Sequence, residues 1–493
     1  MRSETSARAS GSSERPAIRH ERRHAGPQAQ PAAGRPRRSA SRKSRQGLPL
    51  AGPASHWKAA YVWRRARVES DAGVLACRPM NPLTPERARV LHALARQHGT
   101  PCYVYDAATI RERVAQLRAF DVIRYAQKAC SNVHILRLLR AAGVCVDAVS
   151  LGEIERARAA GFDPRSEPAG IVYAADVFAG GALERAIELD VPVNAGSIDM
   201  LDQLGARHPG HRVWLRLNPG FGHGHSRKTN TGGESSKHGI WYEQLPDALR
   251  SIDAHRLELV GLHMHIGSGA DPEHLAQVAN AMVEQVRMLG RDLRAISAGG
   301  GLPIPYRATD ATLDVAAFFA RWDAARRDIE AHLGHAVSLE VEPGRFLVAD
   351  SGWLIAEVRA TKAMGKNTFV LVDAGFDNLV RPAMYGSYHG ISAIRADGSP
   401  AGGRRMPAVV GGPLCESGDV FTQEEGGVVA PRELPQVRVG DLLVFHDAGA
   451  YGAAMASNYN TRTLAPELLL DGGEARLIRR RQTLEELLAL EQV

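Results

Sequence analysis

At 493 residues the chain is too long for one small core and suits two domains. Its net charge of +7 is unevenly carried: Met1–Arg78 holds 17 Lys and Arg against 5 Asp and Glu, or +12, which leaves −5 on the rest. The basicity therefore belongs to the amino-terminal stretch and gives no argument for nucleic-acid binding by the folded part, and no apolar run approaches membrane-spanning length.

Residues 1–79 are rich in Arg, Ala, Ser, Gly and Pro, with few large apolar residues before Trp57, which predicts a disordered extension. Met80 reads as the authentic start, and the amino terminus lacks a signal-peptide core. From Val122–Lys128 onward, apolar runs of strand length recur at Gly143–Val149, Gly170–Ala174, Val191–Ala195, Arg212–Leu217, Leu257–His265, Ala295–Ala298 and Val337–Val341. Amphipathic stretches such as Leu151–Ala160 and Ala182–Leu189 lie between them. Eight strands alternating with helices predict an α/β fold, a (β/α)8 barrel over residues 110–350 whose site collects at the carboxyl ends of the strands. After Asp350, Gly and Pro become frequent and short β-branched runs appear at Trp353–Val358, Thr368–Val372, Ala408–Val410, Leu442–Phe445 and Ala475–Ile478, which predicts a second, mostly antiparallel β domain over 351–493. The final helix, Thr483–Leu490, reads as ordinary amphipathic packing.

Chemistry is concentrated at the strand ends. Lys128 closes the first run, and a buried amine in an apolar barrel loses several kcal/mol of hydration unless paired or neutralised; a covalent imine with pyridoxal phosphate solves this permanently. A lysine snorkelling out at a strand end is the plain alternative. The sixth strand ends in His263-Met264-His265-Ile266-Gly267-Ser268-Gly269, and the seventh in Gly299-Gly300-Gly301, where backbone N–H groups can approach a phosphate. The eighth ends in Glu340-Val341-Glu342-Pro343-Gly344-Arg345; the two glutamates share a strand face, so at least one should point inward, where a carboxylate beside a pyridine ring keeps its nitrogen protonated. The segment His223-Gly224-His225 with Lys228–Gly239 has neither a third ligand at metal-site spacing nor the order of a P-loop, so it reads as a polar lid after the fifth strand, and no metal is expected. Cys77, Cys102, Cys130, Cys145 and Cys415 show no Cys-x-x-Cys pair and no disulfide framework, which predicts a reducing cytoplasm.

From about Thr100 to Val493 the chain resembles the fold type III pyridoxal-phosphate amino acid decarboxylases, and among them the diaminopimelate decarboxylases. The motifs are YAQKACSN (125–132), VDAVSLGE (146–153), HIGSG (265–269), GGG (299–301), EPGR (342–345), VDAGFDNLVRPAMYGSYH (372–389), CESGD (415–419) and GAYGAAMASNYN (449–460). The resemblance implies pyridoxal 5'-phosphate on Lys128, with His265 stacked on its ring, Glu342 at its nitrogen, Ser268, Gly299, Gly300 and Gly301 holding its phosphate, and Tyr451 approaching the cofactor. It implies that Arg345, Arg381, Tyr385, Glu416 and Tyr451 meet the substrate, and that Cys415, counted with Lys128 and His265 as catalytic, and Glu416 arrive from the second subunit of a homodimer. It also implies that residues 80–109, through Pro101–Tyr105, join the β domain, and that meso-2,6-diaminopimelate becomes L-lysine and CO2. One departure is local: the family usually has Asn-Asp, or a variant of it, where this chain reads Asp377-Asn378. Ornithine or arginine decarboxylases share the barrel, but their bare distal cation wants an acidic partner. Alanine racemase-like enzymes place an arginine where Glu342 stands. A non-catalytic regulatory homologue has no physical need to keep Lys128.

Overall fold

The computed structural model describes residues 83–222, 230–267 and 272–493. The extension expected over 1–79, the start at Met80, Cys77, Ser268, and residues 223–229 of the segment 223–239 read as a lid lie outside these residues. Helix α1 (Pro85–His98) begins at Thr84, whose hydroxyl accepts a hydrogen bond from Arg87 N, with Pro85 in the first turn where no N–H is needed. Strand β1 (Cys102–Asp106) follows, and Asp106 caps α2 (Ala107–Gln116) by accepting from Ala108 N.

The barrel then runs β2 (Val122–Ala126), α3 (Val133–Ala141), β3 (Cys145–Ala148), α4 (Leu151–Ala160), β4 (Ile171–Ala175), α5 (Ala182–Leu189), β5 (Val193–Ala195), α6 (Ile198–Arg207) and β6 (Arg212–Asn218). It continues with the two-residue β7 (Ile240–Trp241), α7 (Leu245–His255), β8 (Glu258–Met264), α8 (Pro272–Leu289), β9 (Ala295–Ser297), α9 (Val315–Leu333) and β10 (Ser338–Val341). All of these strands except β7 form a closed parallel barrel in chain order, with β10 returning to β2 and β7 pairing beside β6. Each run read as a strand is a barrel strand, and α4 and α5 occupy the spans read from amphipathicity.

Alternation along the strands sorts side chains by chemistry. Ile123, Tyr125, Val146, Ile171, Leu215, Leu217, Leu339 and Val341 join the apolar cluster that holds the helices. The alternate residues, Arg124, Asp147, Arg216, His263, Ser297, Glu340 and Glu342, are buried polar groups. Glu340 forms a fork with Arg124, whose Nε and Nη2 donate to its two oxygens at 2.8 and 3.0 Å while Nη1 donates to Ala169 O at 2.8 Å. Glu342, the residue just past the end of β10, sits in the layer nearer the carboxyl ends. Removing one partner of such a pair strands the other charge, so Glu340→Ala is expected to lower the free energy of unfolding by about 3–5 kcal/mol. An unchanged urea midpoint would show that the fork contributes nothing.

After α10 (Arg345–Val348) come β11 (Gly352–Met364), β12 (Asn367–Val372), α11 (Arg381–Tyr385), β13 (Ile391–Ile394), β14 (Arg405–Gly411), β15 (Arg432–Pro435), β16 (Leu442–Phe445), β17 (Glu467–Asp471), β18 (Glu474–Arg479) and α12 (Leu484–Leu488). They form one sheet in the order β15-β14-β12-β11-β1-β17-β18, with β16 pairing β11 and β13. The β1–β17 and β12–β14 pairings are parallel and the others antiparallel. A second small core packs Ala88, Leu91 and Leu94 of α1 on Val104, Trp353, Ile355 and Leu468. One expectation is corrected: α12 has a capping box between Thr483 and Glu486, but none of its residues is buried, and Leu484 and Leu488 are exposed. Its cap and the Arg480–Glu486 ion pair, not a core, hold it. Among the described residues no helix is long and apolar enough to cross a membrane.

Candidate active site

Lys128 lies in the single 3-10 turn Gln127–Ala129 that follows β2. The turn is pinned on several sides: Ala126 N donates to Pro343 O at 3.1 Å, Tyr451 N to Ala129 O at 2.8 Å, and the Gln127 side-chain amide to Asp147 O at 2.9 Å. Lys128 opens onto a cavity at the barrel mouth, and its polar neighbours correct the expectation of apolar surroundings. The interior layer here is polar, so the ammonium faces Asp147, Glu153 and a cavity instead of hydrocarbon. Burial, and the Glu342 carboxylate beside it, push Asp147 up to about 8 against the pull of Lys128, and its Oδ1 has no hydrogen-bond partner among the described residues.

The cavity, about 290 Å³, is lined by Lys128, Asp147, Thr231, His265, Gly300, Gly301, Glu342, Arg345, Arg381, Tyr385 and Tyr451, among others. His263 Nε2 lies 2.7 Å from Glu342 Oε2, and since an ionised carboxylate can only accept, that nitrogen carries the proton. Burial alone would raise the Glu342 pKa; His263, Arg216 and Arg124 outweigh it and bring the group below its ordinary value. His265, just past the end of β8, lines a cavity together with His263, and burial together with nearby Arg216 and Lys128 keeps its ring well below its usual pKa and neutral. Gly299 and Gly301 have positive φ, 61° and 92°, and a Cβ on any of Gly299, Gly300 or Gly301 would strike the carbonyl oxygens of Met264, Glu342 or Gly267. The N–H groups of Gly300 and Gly301 have no hydrogen-bond partner among the described residues. A wall of bare, unpaired backbone donors beside a lysine fits a phosphorylated cofactor.

Opposite this wall, Pro382 sits in the first turn of the five-residue α11, which places Arg381 and Tyr385 four apart on one helix face. Arg381 is buried; its Nη1 donates to His389 Nε2 at 2.9 Å and its Nη2 to Ser387 Oγ at 3.3 Å. Arg345 Nη1 donates to Tyr306 Oη at 2.6 Å, and its guanidinium lies 5.2 Å from the Tyr451 ring. Tyr451 is held at φ 59°, a left-handed backbone that aims its ring back over the barrel mouth. A second cavity of about 430 Å³, lined by Tyr306, Asp310, Ser387 and Tyr388, shares Arg345, Arg381 and Tyr385 with the first.

Residues 107–349 match the family described as "Pyridoxal-dependent decarboxylase, pyridoxal binding domain". The chain is 64% identical over 405 residues to a diaminopimelate decarboxylase of Escherichia coli, covering 82% of this chain and 96% of that protein. It belongs to the diaminopimelate decarboxylase family. A Streptomyces coelicolor member is 61% identical, covering 84% and 96% of the two chains. A crystal structure of a diaminopimelate decarboxylase superposes with TM-score 0.81 at 63% identity, over 83% of this chain and 98% of that one. The Helicobacter pylori enzyme complexed with L-lysine gives TM-score 0.72 at 31% identity, over 82% and 99%.

Within this diaminopimelate decarboxylase fold, the structure gathers Lys128, His265, Gly300, Gly301, Glu342, Arg345, Arg381, Tyr385 and Tyr451 at one cavity. Gly299 adjoins it through His265. Ser268 lies outside the described residues. Cys415 and Glu416 are exposed and do not line this chain's cavity. The Asp377-Asn378 departure is accommodated: Asp377 is buried against Arg462 at 3.0 Å, and Asn378 accepts from Gly375 N through its side chain and from the Tyr103 hydroxyl through its carbonyl. Sequence reasoning did not single out Asp147, Thr231, His263, Tyr306 and His389. The period-two pattern could have found His263, paired with His265, and Asp147 between Val146 and Ala148.

Proposed function

We propose that this protein removes one carboxylate of meso-2,6-diaminopimelate as CO2, with pyridoxal 5'-phosphate as cofactor, and leaves L-lysine, the last step of lysine biosynthesis. The observation that carries the reading is Arg381: a buried guanidinium, with no ion-paired carboxylate among the described residues, in the same cavity as Lys128. Such a group awaits an anion, and a substrate with a carboxylate beyond the one lost provides it. Pyridoxal phosphate, when bound, supplies electron withdrawal that stabilises the charge left at the alpha carbon. Lys128 would hold it covalently, His265 would lie against its ring, Glu342 would bind its ring nitrogen, Ser268 and Gly299 to Gly301 would hold its phosphate, and Tyr451 would approach it. Arg345, Arg381, Tyr385 and Tyr451 orient the substrate, and the His263–Glu342 hydrogen bond fixes the carboxylate that faces the ring.

The test is to incubate the protein with meso-diaminopimelate and, separately, with ornithine, and to measure CO2 and lysine. Lysine from diaminopimelate with little CO2 from ornithine is expected; the reverse preference would overturn the reading. The cytoplasm is the proposed compartment: Cys102, Cys130, Cys145 and Cys415 are free, and burial pushes the Cys102 and Cys130 thiols up to about 12.

The working unit we propose is a homodimer in which exposed Cys415 and Glu416 complete the partner's cavity. Lys128→Ala and Glu416→Ala dimers should each be inactive, since equivalent sites share the defect. After subunit exchange, verified with tagged chains, about half the dimers are hybrids with one intact site, so about a quarter of wild-type activity should return. A site built within one chain predicts no recovery.

A further inference from the structure

The side-chain acceptors of Arg381 are all neutral: His389 Nε2, Ser387 Oγ and the Tyr306 hydroxyl. The other ring nitrogen of His389, Nδ1, lies 2.9 Å from His446 O, which can only accept. The ring is therefore the Nδ1–H tautomer, and its Nε2 lone pair faces Arg381. Burial first, then Arg381, Arg432 and Arg345 around it, keep this histidine well below its usual pKa and uncharged. Its backbone is fixed from the β domain, where Arg432 Nη1 donates to His389 O at 2.6 Å. The Tyr306 ring packs edge-on to His389 at 5.6 Å and lies under the Arg381 guanidinium at 5.0 Å.

We propose that His389 is a positioning residue that sets substrate specificity: a neutral acceptor that orients Arg381 without cancelling its charge, reserving that charge for the carboxylate the product retains. This rests on the reading of Arg381 as a substrate-binding arginine. A carboxylate at position 389 would orient the guanidinium equally well but would satisfy it internally, and substrate would then have to displace it. The carboxylate served is the one that stays. A guanidinium gripping the leaving carboxylate would stabilise charge that bond cleavage removes, favouring the ground state over the transition state. L-lysine, which keeps that carboxylate, should therefore feel position 389, and 1,5-diaminopentane, which has none, should not.

The experiment compares His389→Asp, His389→Leu and His389→Gln holoenzymes with wild type by kcat and KM for meso-diaminopimelate and by Ki for L-lysine and for 1,5-diaminopentane. His389→Asp should raise KM and the lysine Ki together by about tenfold or more, with kcat and the diaminopentane Ki moving by less than about threefold. His389→Leu, which removes the acceptor without adding charge, should shift the same two constants. His389→Gln should stay within about threefold of wild type, because its amide can donate to His446 O and accept from Arg381. Equal shifts for all three ligands, or no shift for the carboxylate-bearing ones, would overturn the proposal. If His389→Asp does not fold, the Leu and Gln pair decides by the same comparison. Arg381→Ala separates the two layers. A lysine Ki unmoved in Arg381→Ala sinks the reading of Arg381, whereas a Ki raised there but not in the His389 variants sinks only the role of His389.

Discussion

Lys128→Ala protein is expected to turn over diaminopimelate at less than about a thousandth of the wild-type rate, because one substitution removes both the covalent anchor and a proton-transferring amine. The fold should not notice. Lys128 is exposed and makes no hydrogen bond or ion pair among the described residues, while the backbone of its turn is held by bonds that a side-chain truncation leaves in place. Apo-protein melting should therefore match wild type, which separates lost chemistry from lost structure. Borohydride reduction of wild-type holoenzyme should couple the cofactor to the peptide containing Lys128 and abolish its visible absorbance, and the variant should give no labelled peptide. Label on any other lysine, or a variant that retains its rate, would reject the assignment.

Arg381→Ala should reduce kcat/KM for diaminopimelate by the cost of leaving a substrate carboxylate unpaired in a mostly dry cavity, about 2–5 kcal/mol, or roughly 30-fold to several thousand-fold. Arg381→Lys should recover little of this. A lysine cannot donate in a planar fork to His389, Ser387 and a carboxylate at once, and it does not stack on Tyr306 as a guanidinium does. A variant with unchanged kcat/KM would place Arg381 outside the substrate's reach.

What the sequence made visible follows from the range of each signal. The barrel strands were legible because both-face burial writes continuous apolar runs, and the lysine was legible because it ends one of them. Its environment was misjudged. An apolar run says that a strand is covered, but the inner layer of this barrel is a charged and hydrogen-bonded stack, and only the alternation of Arg124, Asp147, His263, Glu340 and Glu342 with apolar neighbours records it. Strands β13, β15 and β17 escaped notice: two are four residues long, and the third, Glu467-Leu-Leu-Leu-Asp471, is leucine-rich and not β-branched. Tyr306 and His389 could not be read at all, since they stand on separate loops 83 positions apart that meet only when the sheet docks against the barrel mouth.

β1 lies between β11 and β17, with Tyr105 opposite Gly352, so the chain enters and leaves the barrel at one point of the sheet. About 250 residues separate β1 from its antiparallel neighbour. On a ribosome adding about 5–20 residues per second, the amino-terminal strand emerges roughly 10–50 s before that partner exists, and waits longer still for β17. During synthesis its backbone donors and acceptors and its row of Tyr103, Val104 and Tyr105 remain an open edge, available to other nascent chains until the whole barrel has been made. The interval before β11 arrives is thus a period of aggregation hazard for this polypeptide, and slow translation of the barrel would lengthen it.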